Sequence, residues 1–171
     1  MTRPLTRWLH PLLFSLLFAP LAACPGSGGG PLPEPDQCAS PAAGAVVDTL
    51  EVDVSEVGAF TPVADDAIVS LVRGGQGGQM LPVRLRITGA AAPACLAQTT
   101  QLSLGANLAG FVDAPLSTYA DGAARTTKVL YVILYAPIRV GETFTLQTSA
   151  GGKTLTRRLW YGPHGDGGTT P

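Results

Sequence analysis

Apolar side chains recur at every second position through much of this 171-residue chain. The alternation is clearest over residues 81–87 and recurs over residues 50–54 and 144–148. Because successive side chains of a β-strand point to opposite faces, this spacing predicts strands with one buried face and one solvated face. The 3.6-residue spacing of an amphipathic helix is nearly absent. The middle of the chain is therefore predicted to be all-β.

Shorter apolar runs between turn residues predict the remaining strands. They lie at 59–63, 67–73, 99–104, 126–136 and 154–161, with turns at Asp65–Asp66, Gly74–Gly78, Asp121–Gly122 and Gly151–Gly152. Pro82 inside a strand predicts an edge or a bulge, because proline cannot donate to a ladder. Seven or eight short antiparallel strands in about 125 residues imply a single immunoglobulin-like β-sandwich.

Composition divides the chain into four segments. Residues 38–162 have the length of one domain with one core. Residues 24–37 are rich in Gly and Pro, which predicts a tether reaching some tens of ångströms. Residues 163–171 are also without pattern and predict a disordered tail. The first 23 residues have a different character and predict an export signal.

The N-terminal segment contains the parts of that signal in order. Arg3 and Arg7 form a positive leader, residues 12–19 form an apolar run, and Leu21-Ala22-Ala23-Cys24 follows. This ending resembles the lipobox of bacterial lipoproteins. The resemblance implies that the Cys24 thiol carries a diacylglyceryl group, that cleavage occurs before Cys24, and that the new amino terminus is acylated.

Two alternatives to a lipid anchor exist. The first is an ordinary secretory signal that happens to have Cys24 beside its cleavage site, although Leu21-Ala22-Ala23 is not the small-x-small pattern that such cleavage prefers. The second is a retained membrane helix, but the apolar run is too short and is flanked by Pro11 and Pro20.

Lipidation at Cys24 has a definite physical consequence. Each buried methylene contributes about 0.8 kcal/mol, and two or more acyl chains anchor a protein stably. The chain is therefore expected in the envelope of a Gram-negative bacterium, with a membrane as its partner. Pro25 stands where an aspartate retains enterobacterial lipoproteins on the inner membrane, so the resemblance favours the outer membrane.

Two cysteines remain once Cys24 carries lipid. Cys38 and Cys95 would then lie in an oxidising compartment and are predicted to form a disulfide. The chain-entropy model assigns a loop of this length about 4 kcal/mol. A metal site is the alternative, but His10 leaves with the signal and His164 lies in the tail, so soft or imidazole ligands are lacking. No metal and no cofactor other than the covalent lipid is expected.

The charge of the chain argues against polyanionic partners. Two of the eleven basic residues leave with the signal and all twelve acidic residues stay, so the mature charge is 9 − 12 = −3. Without a basic stripe or a polybasic segment, nucleic acid is not an expected partner, and membrane binding would depend on lipid alone.

A glycine-rich segment, Arg73-Gly-Gly-Gln-Gly-Gly-Gln-Met80, precedes the clearest strand. A phosphate loop would need Lys and Ser or Thr opening a helix, and a strand follows here instead. The simpler interpretation is a turn that needs positive φ angles. The alternative is a binding loop that uses Gln76 and Gln79.

The same region carries a second resemblance. Phe60-Thr-Pro-Val63, Asp65-Asp66 and the segment from Gln76 to Gly89 are similar to a pattern in uncharacterised secreted or lipid-anchored proteins of myxobacterial type. The likeness covers about thirty residues and implies an exported β-sandwich with no stated activity. An aromatic residue or His often follows the Gln-Gly-Gly there, and the Gln79-Met80 of this chain departs from that.

The segment Val129 to Tyr135 is apolar on both of its predicted faces. A strand of this kind is usually central, with both faces covered. If the face of Tyr131 and Tyr135 is uncovered, the same residues form an aromatic strip suited to a sugar or a protein partner. Both interpretations stay open at this point.

Catalysis has little support in the sequence. A nucleophilic triad needs an imidazole base, and residues 38–162 contain no histidine. The carboxylates at 48–56 alternate on a solvated face, and Asp65 and Asp66 lie in a turn. We therefore expect a non-catalytic structural or protein-interaction module on a lipid anchor. Carbohydrate or peptide binding is the alternative, and a carboxylate-dependent hydrolase is a weaker one.

Overall fold

The computed structural model describes residues 36–163, and this part of the chain contains ten β-strands and no helix. The strands are β1 (Thr49–Asp53), β2 (Ala67–Val69), β3 (Val72–Arg73), β4 (Gln79–Thr88), β5 (Cys95–Leu104), β6 (Asn107–Asp121), β7 (Ala124–Thr127), β8 (Leu130–Ile133), β9 (Thr143–Ala150) and β10 (Lys153–Tyr161). The all-β prediction is confirmed, with ten strands in place of the predicted seven or eight, whereas the immunoglobulin-like arrangement stays a prediction. The signal, Cys24, most of the tether and nearly all of the tail lie outside the described residues.

The strands form one curled sheet in the order β1-β4-β7-β6-β5-β9-β10-β2, with β3 and β8 also pairing with β4. All pairs are antiparallel except β10 with β2, which run parallel. The register pairs Pro82 of β4 with Tyr131 of β8 alone, because β1 reaches only as far as Arg84. Pro82 therefore has one strand neighbour, as its missing N–H requires.

The long strand β6 produces the curl. Its first part, as far as Ser117, pairs with β5, and its last four residues pair with β7. At its other end, Gly110 bridges to Leu134 just after β8. A Cβ atom on Gly110 would lie 2.8 Å from the backbone oxygen of Ile133, so this close approach requires glycine.

The inner face of the curled sheet is the core. One cluster joins the alternate side chains of β4 to those of β5, β9 and β10, including Leu81, Leu102, Leu146 and Leu159, all of them buried. The partners of this alternation, such as Arg84 and Arg86, lie on the outer face of β4. The period of two in the sequence therefore corresponds to one buried face per strand.

The strand prediction differs from the structure at four places. Residues 59–63 are not a strand, and Phe60 packs on arginines of β4 instead. The stretch predicted at 67–73 is divided between β2 and β3, and the stretch predicted at 126–136 is divided between β7 and β8. The fifteen-residue β6 was missed because Gly110 and Pro115 interrupt its apolar pattern.

A disulfide links Cys38 to Cys95, as the cysteine count predicts, with 5.8 Å between the two Cα atoms. The residues before it already contact the sheet, because Ser117 N donates to Asp36 O at 2.8 Å and Gln37 bridges to Leu116. Asp36 and Gln37, assigned to the tether from the sequence, therefore pack on β6. The disulfide joins the start of the described chain to the start of β5.

The curled sheet has two ends, which we call the disulfide end and the open end. The disulfide end contains Asp36–Cys38, the start of β5 and the turn Gly151–Gly152 between β9 and β10. The open end contains the turn after Leu104, the loop 134–142 and the end of β10 at Trp160–Tyr161. The ten residues of β5 separate the two ends by roughly 30 Å.

Candidate functional site

The four residues predicted to form a binding face have different surroundings. Gln76 lies in the exposed turn between β3 and β4, at the open end. Gln79 is buried, and its amide forms two hydrogen bonds with the backbone of Ile138: Nε2 donates to O at 3.0 Å, and Ile138 N donates to Oε1 at 2.6 Å. The amide of Gln79 therefore holds the loop 134–142 against β4, and only Gln76 presents its amide to solvent.

The tyrosine side of β8 is uncovered over part of its length. Tyr131, Ile133 and Tyr135 alternate with the buried Leu130, Val132 and Leu134. Tyr135 is 63% exposed, and Ile133 is also exposed. Tyr131 is half-buried, and its hydroxyl donates to Glu56 Oε1 at 2.8 Å. Tyr131 therefore has a cover, whereas Ile133 and Tyr135 form an open apolar surface.

The environment of Tyr131 changes its acidity. Burial, followed by the hydrogen bond and the negative charge of Glu56, raises the pKa of the Tyr131 phenol to about 12. The hydroxyl is therefore a donor at neutral pH and no nucleophile. Its bond to Glu56 fixes the segment after β1 over the outer face of β4 and β8.

That segment is tied down further by an ion pair. Arg84 Nη2 donates to Asp53 and to Ser55 Oγ, and Arg84 Nη1 donates to the backbone oxygen of Gly58 at 3.0 Å. The ring of Phe60 lies on the guanidinium of Arg86, with 4.5 Å from the ring centroid to Cζ. These contacts cover part of the outer face of β1 and β4, and Val57 of the covering segment is itself exposed.

Sequence reasoning missed a hollow at the open end. It has a volume of about 360 Å³ and lies between β2 and the last residues of β10, with Ile68, Val140 and Pro163 among its walls. Trp160 of β10 is 42% exposed and lines the same hollow. The sequence does indicate that Trp160 lies on the outer face of its strand, because Leu159, the residue before it, points into the core.

One charged residue, Asp66, lines this hollow, and Arg158 pairs with it from beside the hollow; the two form its charged rim. Arg158 donates through Nε and Nη2 to the two carboxylate oxygens of Asp66, the second at 2.7 Å. These bonds, together with the charge of Arg158 and a smaller contribution from Trp160, hold the pKa of Asp66 below its usual value in spite of some desolvation. The same hydrogen bonds raise the pKa of Arg158. The rim is therefore one carboxylate and one guanidinium, both ionised.

Residues 36–163 contain no metal cluster and no membrane-spanning helix. No group of three or more His, Cys, Asp and Glu side chains in this range has the geometry of a metal site. None of the described secondary structure is a helix long and apolar enough to cross a membrane. No family model, curated protein or solved structure matches this chain.

Proposed function

We propose that this protein is a lipid-anchored protein of the bacterial envelope, held by Cys24 in the outer membrane, whose β-domain is non-catalytic and binds another envelope component. One observation carries the proposal. The chain enters the domain at Asp36–Cys38, whereas exposed apolar side chains such as Tyr135, Val140 and Trp160 lie at the opposite, open end.

The separation of the two ends matches what an anchored binding module needs. A lipid on Cys24 would be joined to the domain through Asp36, so the point of attachment would lie at the disulfide end. The disulfide joins the end of the tether to β5, and the β-bridge between Gln37 and Leu116 joins it to β6. The open end, roughly 30 Å away along β5, would then face a partner.

Exposed apolar side chains at one end support a binding role. Isolated surface apolar residues are common and need no explanation, but adjoining ones mark interaction sites. At the open end, Ile133 and Tyr135 adjoin along one side of β8, and Ile68, Val140 and Trp160 adjoin around the hollow. The open end therefore combines two apolar surfaces on one pole of the domain.

The anchor is tested by labelling cells that express the full chain with a clickable palmitate analogue. We expect label in the wild-type protein and none in Cys24→Ser, with Cys24→Ser lost from the membrane fraction. The double variant Cys38→Ser with Cys95→Ser is the matched control, because it removes two cysteines and keeps the lipidation site. Equal labelling of Cys24→Ser and the wild type would contradict the anchor.

The binding end is tested by photo-crosslinking in living cells. A photoreactive amino acid at Tyr135 of the open end is compared with one at Val46, which is 68% exposed but lies beside the Gly151 turn at the disulfide end. We expect a discrete adduct from position 135 and none of the same mass from position 46. An identical adduct from both positions, or one from position 46 alone, would contradict binding through the open end.

A further inference from the structure

We propose that the hollow between β2 and the end of β10 binds a neutral saccharide, with a sugar ring on the indole of Trp160 and sugar hydroxyls on Asp66 and Arg158. The inference deepens the proposed function, on which it rests for the open end being a binding surface. It does not depend on the lipid anchor. It identifies the partner class by the chemistry of the hollow.

The size and lining of the hollow are those of a small-ligand site. Its volume of about 360 Å³ falls at the lower end of the range of ligand pockets, which is roughly 300 to 1,000 Å³. Most of its wall is apolar, from Ile68, Val140, Trp160 and Pro163, and few polar groups converge on it. This combination of an apolar wall with a few placed polar groups is typical of sites for organic ligands.

Trp160 supplies a flat surface for one face of a sugar. The parallel register places Ile68 beside Trp160, and the antiparallel register places Thr143 on its other side, so the indole has neighbours on both adjacent strands. A pyranose ring has one face of C–H groups and a periphery of hydroxyls. An indole that is partly exposed and carries a polar edge suits a ligand that is apolar on one side and wet on the other.

The charged rim is held in place before any ligand arrives. Asp66 N donates to Arg158 O at 2.7 Å, and Arg158 N donates to Asp65 Oδ1 at 2.6 Å, so backbone bonds accompany the bonds between the side chains of Asp66 and Arg158. Asp66 has a φ of 60°, in the left-handed region that few residues other than glycine adopt. These contacts over-determine the turn and fix the direction of its carboxylate.

The charges of the rim select a neutral ligand. The carboxylate of Asp66 accepts hydrogen bonds, the guanidinium of Arg158 donates them, and their charges cancel. An anion or a cation would have to compete with the existing ion pair. Hydroxyl groups both donate and accept, so adjacent hydroxyls of a sugar can bond to the two partners at once without breaking the pair.

The outer face next to the hollow can continue the contact with a longer glycan. Thr145 of β9 lies opposite Arg158, and Gln147 lies opposite Thr156. Gln101 Nε2 donates to Gln147 Oε1 at 2.6 Å, which extends the polar row onto β5. Hydroxyls and amides dominate this row, so it offers hydrogen bonds without a net charge.

The test uses the fluorescence of Trp160 in the full chain. The sequence has two tryptophans, so Trp8→Phe leaves Trp160 as the one indole reporter. The detergent-solubilised protein is titrated with maltotriose, cellotriose and tri-N-acetylchitotriose up to about 10 mM, a range that detects affinities in the millimolar region. We expect a saturable change in emission with at least one trisaccharide.

Two variants locate the binding. Asp66→Asn and Arg158→Gln, each in the Trp8→Phe background, are expected to weaken that affinity about tenfold, the effect of one charge-assisted hydrogen bond. Arg73→Gln, an exposed arginine of β3, is the matched control and should keep the affinity. No saturable change with any of the three sugars would overturn the proposal. A change that both variants retain would overturn the site.

The remaining outcomes separate this inference from the proposed function. If emission depends on protein concentration with no sugar present, the occupant is a second copy of the chain and the saccharide inference is wrong. If the Tyr135 adduct forms in cells and no sugar binds, the open end binds a protein partner and only this inference is lost. If sugar binds but Cys24→Ser keeps its label, only the anchor is lost.

Discussion

Two aspartate–arginine ion pairs of this domain differ strongly in their exposure to solvent. In the pair Asp53–Arg84 the side chains are 4% and 15% exposed, whereas in the pair Asp66–Arg158 they are 45% and 61% exposed. Both pairs join a strand of the sheet to a residue far away in sequence. The same two residue types therefore have very different surroundings.

The buried pair is part of a network. Asp53 accepts hydrogen bonds from the backbone N–H of Ser55 at 2.9 Å and of Thr61 at 3.1 Å, and Arg84 donates to the backbone oxygen of Gly58. The exposed pair has a hollow beside it and solvent around it. The difference teaches that one pair holds a covering segment in place, while the other leaves its polar atoms accessible to a ligand.

Breaking the buried pair should have the largest effect. Asp53→Ala leaves the guanidinium of Arg84 buried without its counter-ion and leaves the N–H groups of Ser55 and Thr61 without an acceptor. We expect a loss of about 3 to 5 kcal/mol in the free energy of unfolding. Urea unfolding followed by circular dichroism measures it.

Asp66→Asn is the control, because it removes the charge from the exposed pair and keeps a side chain that tolerates the φ of 60° at this position. Exposed ion pairs gain little over hydration, so its unfolding midpoint should stay close to that of the wild type. If Asp66→Asn destabilised the domain as much as Asp53→Ala, the contrast between the two pairs would be lost, and the hollow would be a structural feature.

The next largest effect should be a difference in stability between variants of the aromatic residues beside the two pairs, Phe60 and Trp160. Phe60 covers Arg86 and Arg84, at 4.5 and 5.8 Å from the ring centroid. Phe60→Ala removes these contacts and part of the packing over β4, so we expect a loss of about 1 to 2 kcal/mol. Thermal unfolding of Phe60→Ala and of Trp160→Ala measures both losses, and we expect the loss for Trp160→Ala to be smaller. A larger loss for Trp160→Ala would mean that the indole supports the fold.

The free energy of unfolding at alkaline pH should depend on Tyr131, whose hydroxyl bonds to Glu56 in the segment after β1. Its pKa is raised to about 12 by burial and by Glu56, so between its usual value of 10 and about 12 the unfolded chain releases a proton that the native state keeps. Stability therefore falls as pH rises through this window. Denaturant midpoints measured across this window should fall less steeply in Tyr131→Phe than in the wild type. An unchanged slope in Tyr131→Phe would contradict the assignment.

The sequence predicted the strands whose one face is buried along their whole length. The alternation of β4 and β9 is regular because every second side chain of each reaches the same core. It failed for β6, where Gly110 is needed for the approach of Ile133 and the strand passes from β5 to β7. A strand shared by two parts of a curled sheet has no single buried face to read.

The residues of the proposed site were harder to predict because they come from distant segments. Asp66 and Arg158 are 92 positions apart, and only the parallel pairing of β2 with β10 brings them together at Trp160. The burial of Gln79 was not predicted for the same reason, since its partner Ile138 is 59 positions away. The local pattern predicted the turn at Asp65–Asp66 and the strand that contains Arg158. It could not predict that the two segments lie side by side in the sheet.

The smallest effect we predict concerns the charge of Asp66. Its pKa is lowered, chiefly by the hydrogen bonds from Arg158, so any stability that it contributes is present above the usual carboxylate value of 3.8 and is lost as pH falls below it. The difference in unfolding midpoint between the wild type and Asp66→Asn should therefore be small at about pH 6 and should shrink toward about pH 2.

Salt separates the two pairs in the same assay. At about 1 M NaCl the Debye length is about 3 Å, which screens an exposed pair and leaves a buried pair largely unaffected. The difference between the wild type and Asp66→Asn should then vanish, while the cost of Asp53→Ala should persist. A difference at Asp66 that survived salt would mean that the fold requires the Asp66–Arg158 pair. A pair that contributes so little to folding can exchange its solvent contacts for a ligand at little cost in stability, as the proposed saccharide site would require.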